Sequence, residues 1–153
     1  MLDTIISGAQ VVTPAGAGSW DVGIVGEKIV AVALPGVLPA EGAAIIDASG
    51  KIVLPGGIEP HAHAVANVQP GARQLVDGTP NAGPLEHSLG AIWGGTTTVI
   101  DFAPVPNEGD LAAGIHNFLA PWQGNAYTDY STHCIYTTNN TPDAISRYKE
   151  LID

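Results

Sequence analysis

Two histidines one residue apart, His61 and His63, are the residues of this chain best suited to chemistry. They follow an apolar run and a Pro/Gly turn in the segment Leu54-Pro55-Gly56-Gly57-Ile58-Glu59-Pro60-His61-Ala62-His63. On an extended chain residues i and i+2 point to the same side, so both imidazoles can aim at one point. Imidazole nitrogen is a favoured ligand for zinc and similar divalent ions, which makes the pair a candidate metal half-site. Taken alone, the spacing also suits two polar residues in a loop after Pro60, so the elements around the pair decide the matter.

Those elements fall into two kinds. Residues 3–12 are rich in β-branched side chains and read as strands; Thr13 to Gly18 reads as a turn, and Asp21-Val22-Gly23-Ile24-Val25 as the next strand. Gly26-Glu27 is a tight turn leading into Lys28-Ile29-Val30-Ala31-Val32, which predicts a hairpin. Ala44 to Asp47 and Lys51 to Leu54 are expected to pair with each other across Ala48-Ser49-Gly50. Residues 1–54 are therefore all-β. From residue 55 to 153 the character changes. Ile58 to His63 reads as a short buried strand, and residues 64–84 form a long Gly/Pro/Asn-rich connection that suits either a loop shaping the substrate pocket or a disordered surface loop. Glu86 to Trp93 has helical spacing and ends at Gly94-Gly95. Thr96 to Phe102 is a β-branched strand, and Leu111 to Leu119 a helix with Leu111, Ile115 and Phe118 on one face. Tyr130 to Tyr136 is a strand, and Thr141-Pro142-Asp143 starts a helix expected to reach about Ile152. Strands alternating with helices predict a parallel sheet with crossover helices, an α/β arrangement.

Composition narrows the function classes. The chain has 153 residues and a formal net charge of −10 with only five basic residues, so it lacks the basic patch that neutralises phosphates. Nucleic acid and anionic membrane surfaces are disfavoured as partners. No apolar run is long enough to span a membrane and the N-terminus does not read as a signal peptide, so a cytoplasmic location is expected. The single cysteine, Cys134, excludes an intramolecular disulfide; its apolar flanks predict a buried, inert thiol.

With the all-β lead-in, the Val53-Leu54-Pro55-Gly56-Gly57-Ile58 turn and the His61-Ala62-His63 pair in that order, the chain resembles the amidohydrolase superfamily. Gly94-Gly95-Thr96-Thr97-Thr98-Val99-Ile100-Asp101-Phe102 resembles the second barrel strand of hydantoinases and dihydropyrimidinases. Asp129-Tyr130 followed by His133 resembles the next strand of the same group. The resemblance implies the N-terminal part of a metal-dependent (β/α)₈ TIM barrel, preceded by strands of a small β-sandwich. It implies two divalent metal ions, zinc in most such enzymes with manganese as the alternative, at the C-terminal mouth of the barrel. His61 and His63 would bind the more buried ion. A carboxylated lysine would bridge the two ions, two later histidines would bind the second, and a late aspartate would serve as ligand and general base. In that family the bridging hydroxide attacks the ring amide carbon of a cyclic ureide. The implied partners are a small cyclic ureide and further copies of the chain, as a homotetramer or homodimer.

A complete barrel runs to about 250 residues, and this chain holds about three strand–helix units. The bridging lysine, later histidines and aspartate are thus expected beyond Asp153, and the 153 residues by themselves are expected to be inactive. Lys149 sits in a helical stretch and is expected to be solvated. Asp101 is expected to support a ligand histidine by hydrogen bond, or to hold neighbouring loops, rather than to bind metal. Glu59 is expected to be structural, and His87 and His116 to lie at the surface. His133 suits core packing and site lining equally, while Trp93, Phe102, Phe118 and Tyr136 are most simply core. The rival readings are another amidohydrolase, such as a dihydroorotase or allantoinase, and a non-catalytic dihydropyrimidinase-related oligomeric protein.

Overall fold

The computed structural model of the chain describes residues 1–66 and 82–152. It divides into two compact units, Met1–Pro55 and Gly56–Asp153.

The first unit is one mixed five-stranded sheet. Strands β1 (Thr4–Thr13) and β2 (Gly16–Val25) form a long antiparallel hairpin whose register runs from Thr4 opposite Ile24 to Thr13 opposite Gly16. The expected turn over Thr13 to Gly18 is therefore shorter than the glycines suggest. Gly16 takes φ +126°, and the Thr13 hydroxyl accepts from the Ala15 N–H and donates to the Gly16 carbonyl, which closes the reversal within Pro14-Ala15. Strand β3 (Lys28–Ala33) pairs antiparallel with β2 beyond the Gly26 turn.

Strands β4 (Ala44–Asp47) and β5 (Ile52–Val53) do not pair with each other as expected; both run parallel to β1. The Asp47 carboxylate accepts from the Ser49 N–H at 2.9 Å and the Ser49 hydroxyl at 2.6 Å. That local turn interrupts the strand without reversing it. The ladder to β1 continues on both sides, with the Ala48 N–H donating to Ser7 and the Gln10 N–H to Lys51. Opposite the interruption β1 carries its own irregularity at Ser7-Gly8, where Gly8 has φ +77° and a Cβ would come within 2.6 Å of the Ser49 hydroxyl oxygen. Ala9, Val11, Val22 and Ala48 form the buried core of this unit.

The second unit is a parallel sheet of β6 (Gly57–Glu59), β7 (Thr96–Pro104) and β8 (Asp129–Ile135), with β7 in the middle. Helix α1 (Pro84–Trp93) leads into β7 and helix α2 (Leu111–Leu119) joins β7 to β8. Gly95, at φ +83°, turns the chain from α1 into β7. Asp110 caps α2, its carboxylate accepting from the Ala113 N–H. Leu111 and Ile115 then bury against Ala103 and Val105, with Phe118 and Tyr136 alongside. The buried positions of α1 are Pro84 and Ser88, and Trp93 lies off that line, 84% exposed rather than in the core.

The last helix is also shorter than its spacing predicts. Thr141 caps α3 (Pro142–Ser146), which breaks at Arg147 into a 3₁₀ turn, Tyr148–Leu151. At the break the Arg147 guanidinium grips Glu150 at 2.7 Å and the Gly109 carbonyl at 2.9 Å. Most of the Gly/Pro/Asn-rich connection after His63 lies outside the described residues.

Candidate metal centre

The histidine pair stands where β6 runs out. The strand ends at Glu59 rather than continuing to His63, and Ile58 is exposed. Pro60 has no N–H to give to a ladder, which accounts for the early end. The pairing resumes for one residue, because the Ala62 N–H donates to the Ile100 carbonyl of β7 at 2.9 Å. Ala62 is thereby held inward at 3% exposure while His61 and His63 on either side are exposed. The two-residue alternation thus survives the end of the strand. Glu59 holds the segment locally, its carboxylate accepting from the His61 N–H at 2.9 Å.

The two imidazoles converge. Their Nε2 atoms lie 3.3 Å apart, with ring centres at 5.2 Å and planes at 73°. Two nitrogens bound to one tetrahedral zinc at the usual 2.0–2.1 Å are separated by about 3.3–3.4 Å. The pair therefore fits two adjacent corners of a tetrahedral site on one ion. Among the described residues no third His, Cys, Asp or Glu gathers with them. Both rings rest near Phe102, at 4.4 Å from His61 and 5.4 Å from His63.

Asp101 sits on the opposite face of β7, fully buried. One carboxylate oxygen accepts from the Val65 N–H at 3.0 Å and from the Trp122 indole N–H at 3.1 Å; the other accepts from the Phe102 N–H at 2.8 Å. Every partner is a donor, so the side chain serves here as an acceptor of three hydrogen bonds. The bond to Val65 ties down the chain two residues past His63. Neither histidine is a hydrogen-bond partner of Asp101 among the described residues. Trp122, fully buried and stacked on Tyr130 at 5.3 Å, anchors the cluster of Ala62, Ala64, Val65 and Val99 beneath the pair.

The other candidates scatter. His133 is exposed on β8, its ring 5.0 Å from Phe102. His87 is partly buried on α1, edge-on to Trp122 at 6.4 Å, and His116 is exposed on α2. Lys149 is exposed in the final 3₁₀ turn. Cys134, on β8, is exposed rather than buried; partial burial still pushes its thiol pKa up. Phe102 is not core either: it is half-covered and forms the wall between three imidazoles. Sequence reasoning missed it although the signal was present, since a strand residue next to the buried Asp101 must face the other way. It missed Trp122 as well, for which a single indole after Ala120-Pro121 offers no local signal.

No family model matches the chain. It is 35% identical over 141 residues to a D-hydantoinase from Streptomyces coelicolor, covering 90% of this chain and 28% of that protein. It is 30% identical over 148 residues to a dihydropyrimidinase from Arabidopsis thaliana, covering 97% of this chain and 26% of that one. Among solved structures, a D-hydantoinase from a Bacillus species superposes with a TM-score of 0.79 at 30% identity, covering 98% of this chain and 30% of that chain. The chain thus spans under a third of the length of each of these three relatives.

Proposed function

We infer that this chain, a hydantoinase-like amidohydrolase in sequence and fold, supplies one half of the metal centre of a cyclic-amide hydrolase. The reaction is hydrolytic opening of a hydantoin or dihydropyrimidine ring. The observation that carries the reading is the 3.3 Å separation of the His61 and His63 Nε2 atoms at the C-terminal edge of a parallel sheet, the edge at which barrel enzymes place their chemistry. A divalent ion held there, zinc in the first instance, supplies Lewis acidity and an acidified water.

The chain's own residues have distinct tasks in this reading. His61 and His63 hold the ion, and Glu59 fixes the backbone entering the pair. Asp101 fixes the backbone leaving it, acting through Val65 rather than through an imidazole. Phe102 gives the pair an apolar wall that keeps water off one side. A second ion, the bridging lysine, two further histidines and the aspartate base belong to parts of the barrel outside these residues. We propose a homotetramer or homodimer acting on a small cyclic ureide in the cytoplasm. Among the described residues no helix is long and apolar enough to cross a membrane.

The test is ring opening of hydantoin and dihydrouracil by the complete protein that carries this chain, followed by ultraviolet absorbance. His61→Ala and His63→Ala are each expected to lower turnover by roughly 100-fold or more, beyond the loss typical of residues that only support a ligand. Unchanged turnover in both variants would reject the assignment.

A further inference from the structure

We propose that His133 binds the far polar edge of the substrate ring, across Phe102 from the metal-holding pair; this rests on the cyclic-amide reading above. Phe102 and His133 are direct partners in the β7–β8 register, and their ring centres are 5.0 Å apart. The Phe102 ring is in turn 4.4 Å from His61. The three rings therefore line one face of the sheet, and His61 and His133 are no farther apart than those two distances together. Their backbones belong to the two outer segments flanking β7, two strand spacings or roughly 9–10 Å apart along the sheet.

His133 is not among the groups that could hold the ion with His61 and His63, since no third His, Cys, Asp or Glu gathers with the pair among the described residues. It suits a different task. A five- or six-membered ureide ring with its reacting carbonyl at the pair extends toward His133, and a hydrogen bond of about 2.9 Å closes the remaining gap. A neutral imidazole carries one donor and one acceptor, which matches a ring edge presenting both N–H and C=O groups. Among the described residues the His133 ring stands against Phe102 and makes no side-chain hydrogen bond, while its backbone belongs to the β7–β8 ladder. Phe102 between the two ends is apolar and leaves the polar contacts to the imidazoles. His133 is thus a substrate-binding residue on the far side of Phe102 from the metal-holding pair.

The experiment uses the complete protein in two states. In metal-depleted protein, where turnover is absent, dihydrouracil binding is measured by calorimetry for wild type, His133→Ala and His133→Asn. In metal-loaded protein, KM, kcat and metal content are measured for the same three. Expected are a three- to tenfold weaker dihydrouracil affinity and a similar rise in KM for His133→Ala, the scale of one lost hydrogen bond. The Asn variant should recover part of both, with metal content unchanged throughout. Equal affinity and KM in all three proteins would overturn the proposal while leaving the metal half-site standing. Loss of metal in His133→Ala would overturn it too, by making His133 part of the metal centre. A wild-type protein that opens no ring and binds no dihydrouracil would fail the underlying reading and this proposal with it.

Discussion

The two faces of strand β7 divide the labour of the second unit. On one face Val99, Asp101 and Ala103 are completely buried against the helices and Trp122. On the other, Ile100 and Phe102 are only partly covered, and the three imidazoles of His61, His63 and His133 gather around Phe102. The buried face consists of apolar side chains and a carboxyl group that accepts three hydrogen bonds. The open face has nitrogen lone pairs with few partners. A strand's two-residue period places both within one stretch of chain, so rigidity on one side serves geometry on the other.

This division can be broken from either side. Removing an imidazole from the open face, as in His61→Ala, should cost roughly 100-fold in turnover with little loss of fold, since the ring is exposed. Removing the carboxyl group from the buried face should damage the fold first and the site through it. Asp101→Ala strands the Val65 N–H and the Trp122 indole N–H in a dry interior, at about 1–3 kcal/mol for each orphaned donor. We expect about 3 kcal/mol or more of lost stability in denaturant titration. Metal affinity should also fall by roughly 10- to 100-fold, because the chain after His63 loses its tether. Wild-type stability and affinity in Asp101→Ala would remove the link between the faces.

Trp122→Phe sharpens the same point. It keeps an aromatic ring against Tyr130 but removes the donor to Asp101. The expected cost is about 1–2 kcal/mol, with a smaller effect on metal affinity than Asp101→Ala. The smallest effect belongs to a position that bonds neither to the histidine pair nor to Asp101. Asp110→Ala deletes the cap of α2, for about 1 kcal/mol, and should leave metal content and KM unchanged. A shift in either would mean that the site senses general stability rather than this particular support.

The parts legible in the sequence were those set by local chemistry. The span of α2 follows from the Leu111/Ile115/Phe118 spacing, the end of α1 from Gly94-Gly95, and the β7 core from its β-branched run. The histidine pair was legible because a period of two needs no tertiary information. What escaped depended on partners distant in sequence. The choice of β4 and β5 to pair with β1 rather than with each other turns on Ser49 fitting opposite Gly8. The break at Arg147 turns on a carbonyl at Gly109. Phe102 and Cys134 were assigned to the core because apolar residues in strands are mostly buried, yet one lines the histidine face and the other is exposed on β8. Asp101 drew attention as a strand-end carboxylate, but its partners Val65 and Trp122 follow only from the fold.

The central claim is that His61 and His63 together hold one ion. It is tested most directly by measuring bound metal per chain in the complete protein, after dialysis against a weak chelator, for wild type and the His61→Ala/His63→Ala double variant. The account predicts that the double variant loses at least one divalent ion per chain while keeping its folded circular dichroism. Equal metal content in the two proteins would contradict it.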